Sequence, residues 1–379
     1  MFCPSTKSVK IQKEYLMGEA IPNRLKSQRV FVIFGTTAEL FKILPVVKRI
    51  GSESVVLFYT GQQTISGLEK LLDGFTTVAL FDKALDVAMS TPRLLSWIAR
   101  APLLLHRAIK KTTSRLDENL TVAVHGDTVT ALVGTVITKL LGYRLVHIEA
   151  GLRSGYFLHP FPEELIRRAI SVFADLNFAP GRGPAKALAG YPGRTVDTNV
   201  NTSLEAIRHV IESAPIHLRI PDKFVLVSLH RYELSRKSKQ LKNTVKELVA
   251  VSERLPVFLV ADSIAVAGFS RIKAFRLLLR SEIHLLPKMP IEQFHYLLRR
   301  CSFLITDSGG QQEEAFAFGV PSIIHRKRTE RADGLGWNSV LSDWKAGSML
   351  SFCGDYERFK KPDFTITGKS PSEIIVDHL

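Results

Sequence analysis

Apolar residues along this chain fall into short unbroken runs, each closed by a glycine or a polar residue and followed by a stretch with helical spacing. Arg29 to Phe34 (Arg-Val-Phe-Val-Ile-Phe) breaks at Gly35-Thr36-Thr37 and gives way to Leu40 to Ile50, where apolar positions recur every three or four residues. This predicts strand, turn, helix. The alternation returns at Val55 to Tyr59, at Thr121 to Val124 before His125-Gly126-Asp127, and at Arg144 to Ile148 before Glu149. Continuously apolar strands are buried on both faces, so the pattern predicts an α/β fold with a parallel sheet, helices on either side, and ligands beyond the carboxyl ends of the strands. Near Val196 to Ser203 the chain turns polar and a second set begins: Phe224 to Leu229 before His230-Arg231, Val257 to Val260, and Phe303 to Ile305. Two Rossmann-like domains facing across a cleft are expected. The predicted division is an N-terminal extension (1–28), a first domain (29–197), a second domain (198–357) and a C-terminal segment (358–379).

Composition agrees with two domains. A chain of 379 residues, 45% of them hydrophobic, fills two ordinary cores, since single cores stop growing at roughly 250 residues. The apolar stretch Arg93 to Leu105 is interrupted by Arg100 and Pro102 and followed by His106, well short of the ~20 residues a membrane helix needs. Residues 1–28 lack the pattern of a secretory signal. Cys3, Cys301 and Cys353 are too few and scattered for a disulfide framework, which fits a reducing cytoplasm.

The formal charge of +15 implies attraction to a polyanion: a nucleotide, a nucleic acid or an anionic membrane surface. The basic clusters Lys110-Lys111, Arg326-Lys327-Arg328 and Lys360-Lys361 lack the aromatic interleaving of nucleic-acid binders. Nucleic acid is therefore not an expected partner, and peripheral contact with a membrane stays open. No G-x-G-x-x-G or G-x-x-x-x-G-K-[ST] motif occurs, so neither nicotinamide nor ATP chemistry is supported.

Candidate chemistry gathers at the predicted strand ends. In Ile305-Thr306-Asp307-Ser308-Gly309-Gly310-Gln311-Gln312-Glu313-Glu314-Ala315, an apolar strand breaks at Ser-Gly-Gly and restarts as a helix. Such a break presents unpaired backbone N–H groups at the positive end of a helix dipole, and the missing side chains let an anion approach. Read alone it is also an ordinary capped turn. Glu313, one turn on, is suited to accepting hydrogen bonds from sugar hydroxyls. A phosphate and a ribose together suggest a nucleotide. His125-Gly126-Asp127 and His147-Ile148-Glu149 each place two polar side chains on one strand face by the period of two, as acid–base groups or metal ligands. Pro162-Glu163-Glu164 opens a helix, and Glu163 and Arg167 share a face, either as an exposed ion pair or as a proton-transfer group with its cation. His230 is a structural turn residue or an aid to a leaving phosphate.

Taken together, Gly35 to Lys42, His125-Gly126-Asp127, His147-Ile148-Glu149-Ala150-Gly151-Leu152-Arg153, Pro162-Glu163-Glu164, His230-Arg231, Thr306 to Glu314 and Thr329-Glu330-Arg331 resemble the non-hydrolysing UDP-N-acetylglucosamine 2-epimerases, in order and approximate spacing from about Arg29 to Leu379. The resemblance implies the glycosyltransferase-B type of fold, with a C-terminal helix crossing back to the first domain. It implies that UDP is held by Ser308, Gly309 and Gly310 at the pyrophosphate, Glu313 at the ribose and Phe294 near the uracil, with Lys42, Arg153 and Arg331 as further substrate-binding residues. Asp127, Glu149 and Glu163 fall on the family's catalytic carboxylates, Arg167 lies beside them, and His230 falls on its catalytic histidine. The implied reaction removes the C2 proton and expels UDP from C1, giving a 2-acetamidoglucal; re-addition from the other face gives UDP-N-acetylmannosamine, a sugar for surface glycans. The resemblance implies no cofactor and no metal, and a homodimer in the cytoplasm.

Several positions depart from the family pattern. Thr37 stands where an arginine is expected, Ala332-Asp333 replaces Pro-Glu, Gly61-Gln62-Gln63 replaces Gly-Gln-His, and Ala261-Asp262-Ser263 replaces a His-x-Asn-Pro segment. The last two belong to the regulatory substrate site of bacterial members, so activation by UDP-N-acetylglucosamine is expected to be absent or altered. A modified UDP-sugar, hydrolytic release of free N-acetylmannosamine and binding without catalysis are the alternatives.

Overall fold

A computed structural model of the chain describes residues 29–65, 69–85, 91–113, 120–156, 161–210, 220–261, 263–272, 275–279 and 281–379. The expected N-terminal extension, residues 1–28, lies outside them. The chain forms two compact units, each around one parallel sheet.

Unit one takes the described residues of Met1–Leu152, Tyr156–Thr202 and Lys369–Leu379. Its strands are β1 (Val30–Phe34), β2 (Val55–Tyr59), β3 (Thr76–Ala79), β4 (Thr121–His125), β5 (Arg144–Ile148), β6 (Leu176–Ala179) and β7 (Arg194–Asp197), in spatial order β3-β2-β1-β4-β5-β6-β7. Every residue of β1, β2 and β4 is buried, which is why these strands read as unbroken apolar runs. Phe31, Ile33, Phe58, Val122 and Val124 form one side of the core, closed by Trp97, Ala101, Leu105, Ile137, Ile166 and Ile170 from the covering helices. Each such valine, leucine, isoleucine or phenylalanine contributes about 1.5–3 kcal/mol on leaving water.

Unit two takes Arg153–Gly155 and the described residues of Ser203–Gly368. Its strands are β8 (Val225–Ser228), β9 (Val257–Ala261), β10 (Ile283–Pro287), β11 (Phe303–Thr306), β12 (Ser322–Ile324) and β13 (Ser339–Leu341), in order β10-β9-β8-β11-β12-β13. Val225, Val227, Leu259, Phe303 and Ile305 pack against Leu241, Val245, Leu248, Met349 and Phe352.

In each sheet the strand order reverses once, between β1 and β4 and between β8 and β11. The crevice beyond the carboxyl ends at such a reversal is where open α/β sheets bind ligands. Those ends are Gly35, His125, Leu229 and Asp307. The last described stretch, with the helix Pro371–Val376, belongs to unit one: Arg49 reaches Ser372 Oγ at 3.0 Å and Glu373 at 3.2 Å, and Ile375 is fully buried. Among the described residues no helix is long and apolar enough to cross a membrane.

Candidate active site

At the reversal in unit one, the turn after β1 is fixed by its own sequence. Thr36 caps the helix Thr37–Ile50, and Glu39 bonds back in a capping box, accepting from the Gly35 and Thr36 N–H groups at 2.9 Å each. Glu39 also accepts from Thr128 Oγ1 at 2.5 Å, and Thr128 in turn caps the helix Val129–Leu140 that follows β4. Glu39 thus ties the turns after β1 and β4 together. It is 2% exposed, and burial pushes its carboxyl up to about 7 against the pull of these hydrogen bonds.

Two carboxylates, Asp127 and Glu149, stand just beyond the ends of β4 and β5. The expectation that period-two alternation places Asp127 beside His125 and Glu149 beside His147 is not met. β4 ends at His125 and Gly126 adopts φ 64, while β5 ends at Ile148 and Glu149 itself adopts φ 63. His147 is instead fully buried, with Nε2 on the Gly126 carbonyl at 2.8 Å, bracing the turn that carries Asp127. A left-handed glutamate is strained by about 1–3 kcal/mol and persists only where its surroundings hold it. Glu149 is held by Lys42 Nζ at 2.6 Å and by the Asn201 amide.

Arg167 is not an exposed partner of Glu163. It is 4% exposed and pairs with Asp127 and with Glu164, the latter at 3.4 Å, while Glu164 also takes Arg168 at 3.1 Å. The reason is register: Glu164, on the buried face of the helix Glu163–Phe173, points at the guanidinium. Glu163 Oε2 is buried and has no hydrogen-bond partner among the described residues. Unit one therefore pairs Asp127 with Arg167 and Glu149 with Lys42, and carries Glu163 at the start of the helix that holds Arg167. Among the described residues no three His, Cys, Asp or Glu side chains converge as metal ligands.

At the reversal in unit two, Ser308 caps the helix Gly309–Ala317, whose first N–H groups have no acceptor within the helix. A Cβ at Gly309 would come within 2.9 Å of Glu330 Oε1 and 3.3 Å of the Arg331 side chain, so a larger residue there would have to displace those side-chain atoms. At Gly310 a Cβ would meet only Ser308 Oγ, at 3.9 Å. That glycine leaves the helix end bare without being needed for packing. Asp307, 1% exposed, accepts the His230 and Arg231 N–H groups at 3.0 and 2.9 Å, which sets His230 at the carboxyl end of β8 with its ring partly exposed. Glu313 is buried between Arg331 and Ser203 Oγ, the latter at 2.9 Å. Gln312 fixes the loop after β12, donating to the Arg331 and Asp333 carbonyls at 3.1 and 2.8 Å. His325 braces the same loop through Thr244 and Ser342, and burial lowers its pKa to about 4, so it stays neutral. Phe294 is buried on the helix Ile291–Leu298, and Arg153 is partly buried in the short stretch that clusters with unit two.

Sequence reasoning missed Asn201, Glu164, Glu39 and Asp307 as groups that position the site. Glu39 and Asp307 carried readable signals, the Thr-x-x-Glu capping box and the acid just before a helix cap. Asn201, fifty-two positions from Glu149 and in a loop, carried none.

Residues 54–343 match the UDP-N-acetylglucosamine 2-epimerase family. The chain is 29% identical over 321 residues to the UDP-N-acetylglucosamine 2-epimerase of Bacillus subtilis, covering 82% of each protein. It is 28% identical over 330 residues to that of Campylobacter jejuni, covering 81% of this chain and 84% of the relative. Among solved structures, the Staphylococcus aureus MnaA–UDP co-structure superposes with a TM-score of 0.75 at 26% identity, over 93% of this chain and 95% of that one. The Methanocaldococcus jannaschii UDP-GlcNAc 2-epimerase, solved with UDP-GlcNAc and UDP, superposes with a TM-score of 0.77 over 92% and 99%; at 21% identity this is a likeness of fold.

Proposed function

The chain belongs to the UDP-N-acetylglucosamine 2-epimerase family, and from that premise we propose that it interconverts UDP-N-acetylglucosamine and UDP-N-acetylmannosamine without releasing free sugar. In the forward half-reaction a carboxylate takes the C2 proton, the C–H electron pair becomes the C1–C2 double bond, and the C1–O bond breaks with its electrons leaving on UDP. In the return half-reaction a proton is delivered to the opposite face of C2 and a diphosphate oxygen re-forms the bond to C1.

The observation that carries this reading is the carboxylate group of unit one. Glu163 has a buried oxygen without a hydrogen-bond partner among the described residues, ready to exchange a proton with a ligand, whereas Asp127 and Glu149 are each engaged by a cation. We assign proton transfer to Glu163 and Glu149, with Asp127 and Arg167 acting beside them. The departing diphosphate gains charge as the C1–O bond breaks. The bare helix end at Ser308, Gly309 and Gly310 suits that charge, as would Arg331 and His230. Glu313 is assigned to the ribose, Phe294 to the base, and Lys42 and Arg153 to the substrate; Lys42 and Arg331 would then be shared between substrate and their present carboxylate partners.

Proton NMR of the protein with UDP-N-acetylglucosamine in deuterated water tests the assignment. Deuterium at C2 together with new UDP-N-acetylmannosamine signals is the expected result. Free N-acetylmannosamine plus UDP would move the protein to hydrolysing chemistry, and an unchanged spectrum would refute activity on this sugar.

A further inference from the structure

We infer that the outer face of the helix Thr91–Thr112 binds an anionic membrane surface. Its inner face is ordinary: Trp97, Ala101, Leu105 and Ile109, four residues apart, are buried in the core of unit one. The outer face is not. Leu95 and Leu103 are each 61% exposed, with exposed Ala99 between them at the same four-residue spacing, so they form an apolar strip along the helix. Beside this strip runs a basic one. Arg93, Arg100 and Arg107 lie seven residues apart and share a flank, Lys110 and Lys111 follow, all five are exposed, and the helix holds no aspartate or glutamate.

A helix facing only water covers its outer face with polar groups of both signs. Apolar residues lined by lysine and arginine alone are the pattern of a helix lying in the plane of a bilayer surface, the leucines entering the headgroup boundary and the cations snorkelling to lipid phosphates. The charges rule out a span. Of the other occupants, a second copy fits poorly, because a two-fold contact would set the positive charges of Arg100, Arg107 and Lys110 against their own copies. The exposed Val136, Leu140, Val172 and Phe173 on neighbouring helices suit self-contact better, since Lys139 there is balanced by Asp175 at 2.8 Å. Nucleic acid would use the cations but leave Leu95 and Leu103 in water.

Co-sedimentation of the full chain with vesicles tests this. Phosphatidylcholine vesicles containing about one-third phosphatidylglycerol should pellet the protein at low salt, pure phosphatidylcholine should not, and salt of about 0.5 M should release it. Arg107→Gln with Lys110→Gln should weaken partitioning about 25-fold, at roughly fivefold per charge. Leu95→Ser with Leu103→Ser should weaken it about tenfold or more. Circular dichroism and melting temperature should match the parent in both variants. The inference is overturned if the parent fails to pellet with anionic vesicles at low salt, or if both double variants pellet like the parent. It is equally overturned if the leucine variant changes the oligomeric mass with no vesicle binding to lose, or if the parent is retained on duplex DNA but not on vesicles.

Discussion

Glu163 and Asp127 make a usable contrast at the scale of single residues. Glu163→Gln keeps size and breaks no ion pair. It should lower kcat about 10²–10⁴-fold, the usual worth of a general acid or base, with an unchanged melting temperature. Asp127→Asn deprives the buried Arg167 of the Asp127 carboxylate, so here activity and melting temperature should fall together. Equal losses of stability in the two variants would contradict the pairing described above. Glu39 governs a pH dependence. Its folded value of about 7 lies above the unfolded 4.5, so its neutral form is favoured by folding; the stability it contributes is whole below about pH 4.5 and is lost as pH rises through about 7. The parent should therefore lose stability relative to Glu39→Gln between about pH 5 and about pH 8, by an amount on the order of 3 kcal/mol. Melting curves of both proteins across that range decide it, and a constant difference refutes it.

At the scale of elements, the block Ala150-Gly151-Leu152 shows why a motif can be demanded by packing as much as by chemistry. Gly151 adopts φ 80, and a Cβ there would lie 2.3 Å from the Pro184 carbonyl oxygen of the helix Arg182–Ala187. Gly151→Ala meets left-handed strain of ~1–2 kcal/mol and a backbone collision together, so denaturant unfolding should show a loss above ~2 kcal/mol. The C-terminal helix Pro371–Val376 is similarly explicit: a proline in its first turn, a Ser370–Glu373 capping box, and Ile375 as its buried anchor. Deleting Lys369–Leu379 should cost about 1.5–3 kcal/mol from Ile375 alone. Calorimetry that finds no loss would show that this helix adds nothing to unit one.

For the whole molecule, regulation is the open consequence. Gln62, in the segment that departs from the family pattern, is spent internally: its carbonyl accepts from the Thr130 N–H at 3.0 Å and from Thr130 Oγ1 at 2.8 Å. Tyr59 holds the Gln63 carbonyl at 2.5 Å. Asp262, in the other departing segment, lies outside the described residues. Gln63, the residue of the Gly61-Gln62-Gln63 segment that differs from the family's histidine, has no imidazole to carry a charge or a proton toward a second substrate molecule. Initial rate should therefore rise hyperbolically with UDP-N-acetylglucosamine, and sigmoidal dependence would refute this.

The sequence by itself determined the two parallel sheets, because strands buried on both faces must be apolar throughout, and β1, β2, β5, β8 and β11 stand out within a residue of their ends. It did not mark β3, β7 and β10, which are largely exposed or half-buried, β6, a buried run of four broken by Asn177, or β12 and β13, whose three residues are too few for a pattern. It marked the carboxylates, glycines and histidines at the strand ends, since a chain break after an apolar run is visible locally. Only the tertiary structure decided their partners. That Arg167 serves Asp127 rather than Glu163, that Glu149 turns left-handed between Lys42 and Asn201, and that Asp307 holds His230 are contacts between residues 40 to 107 positions apart, apart from the local choice of Glu164. Such contacts follow from how helices pack on a finished sheet, and no local pattern of residues encodes them.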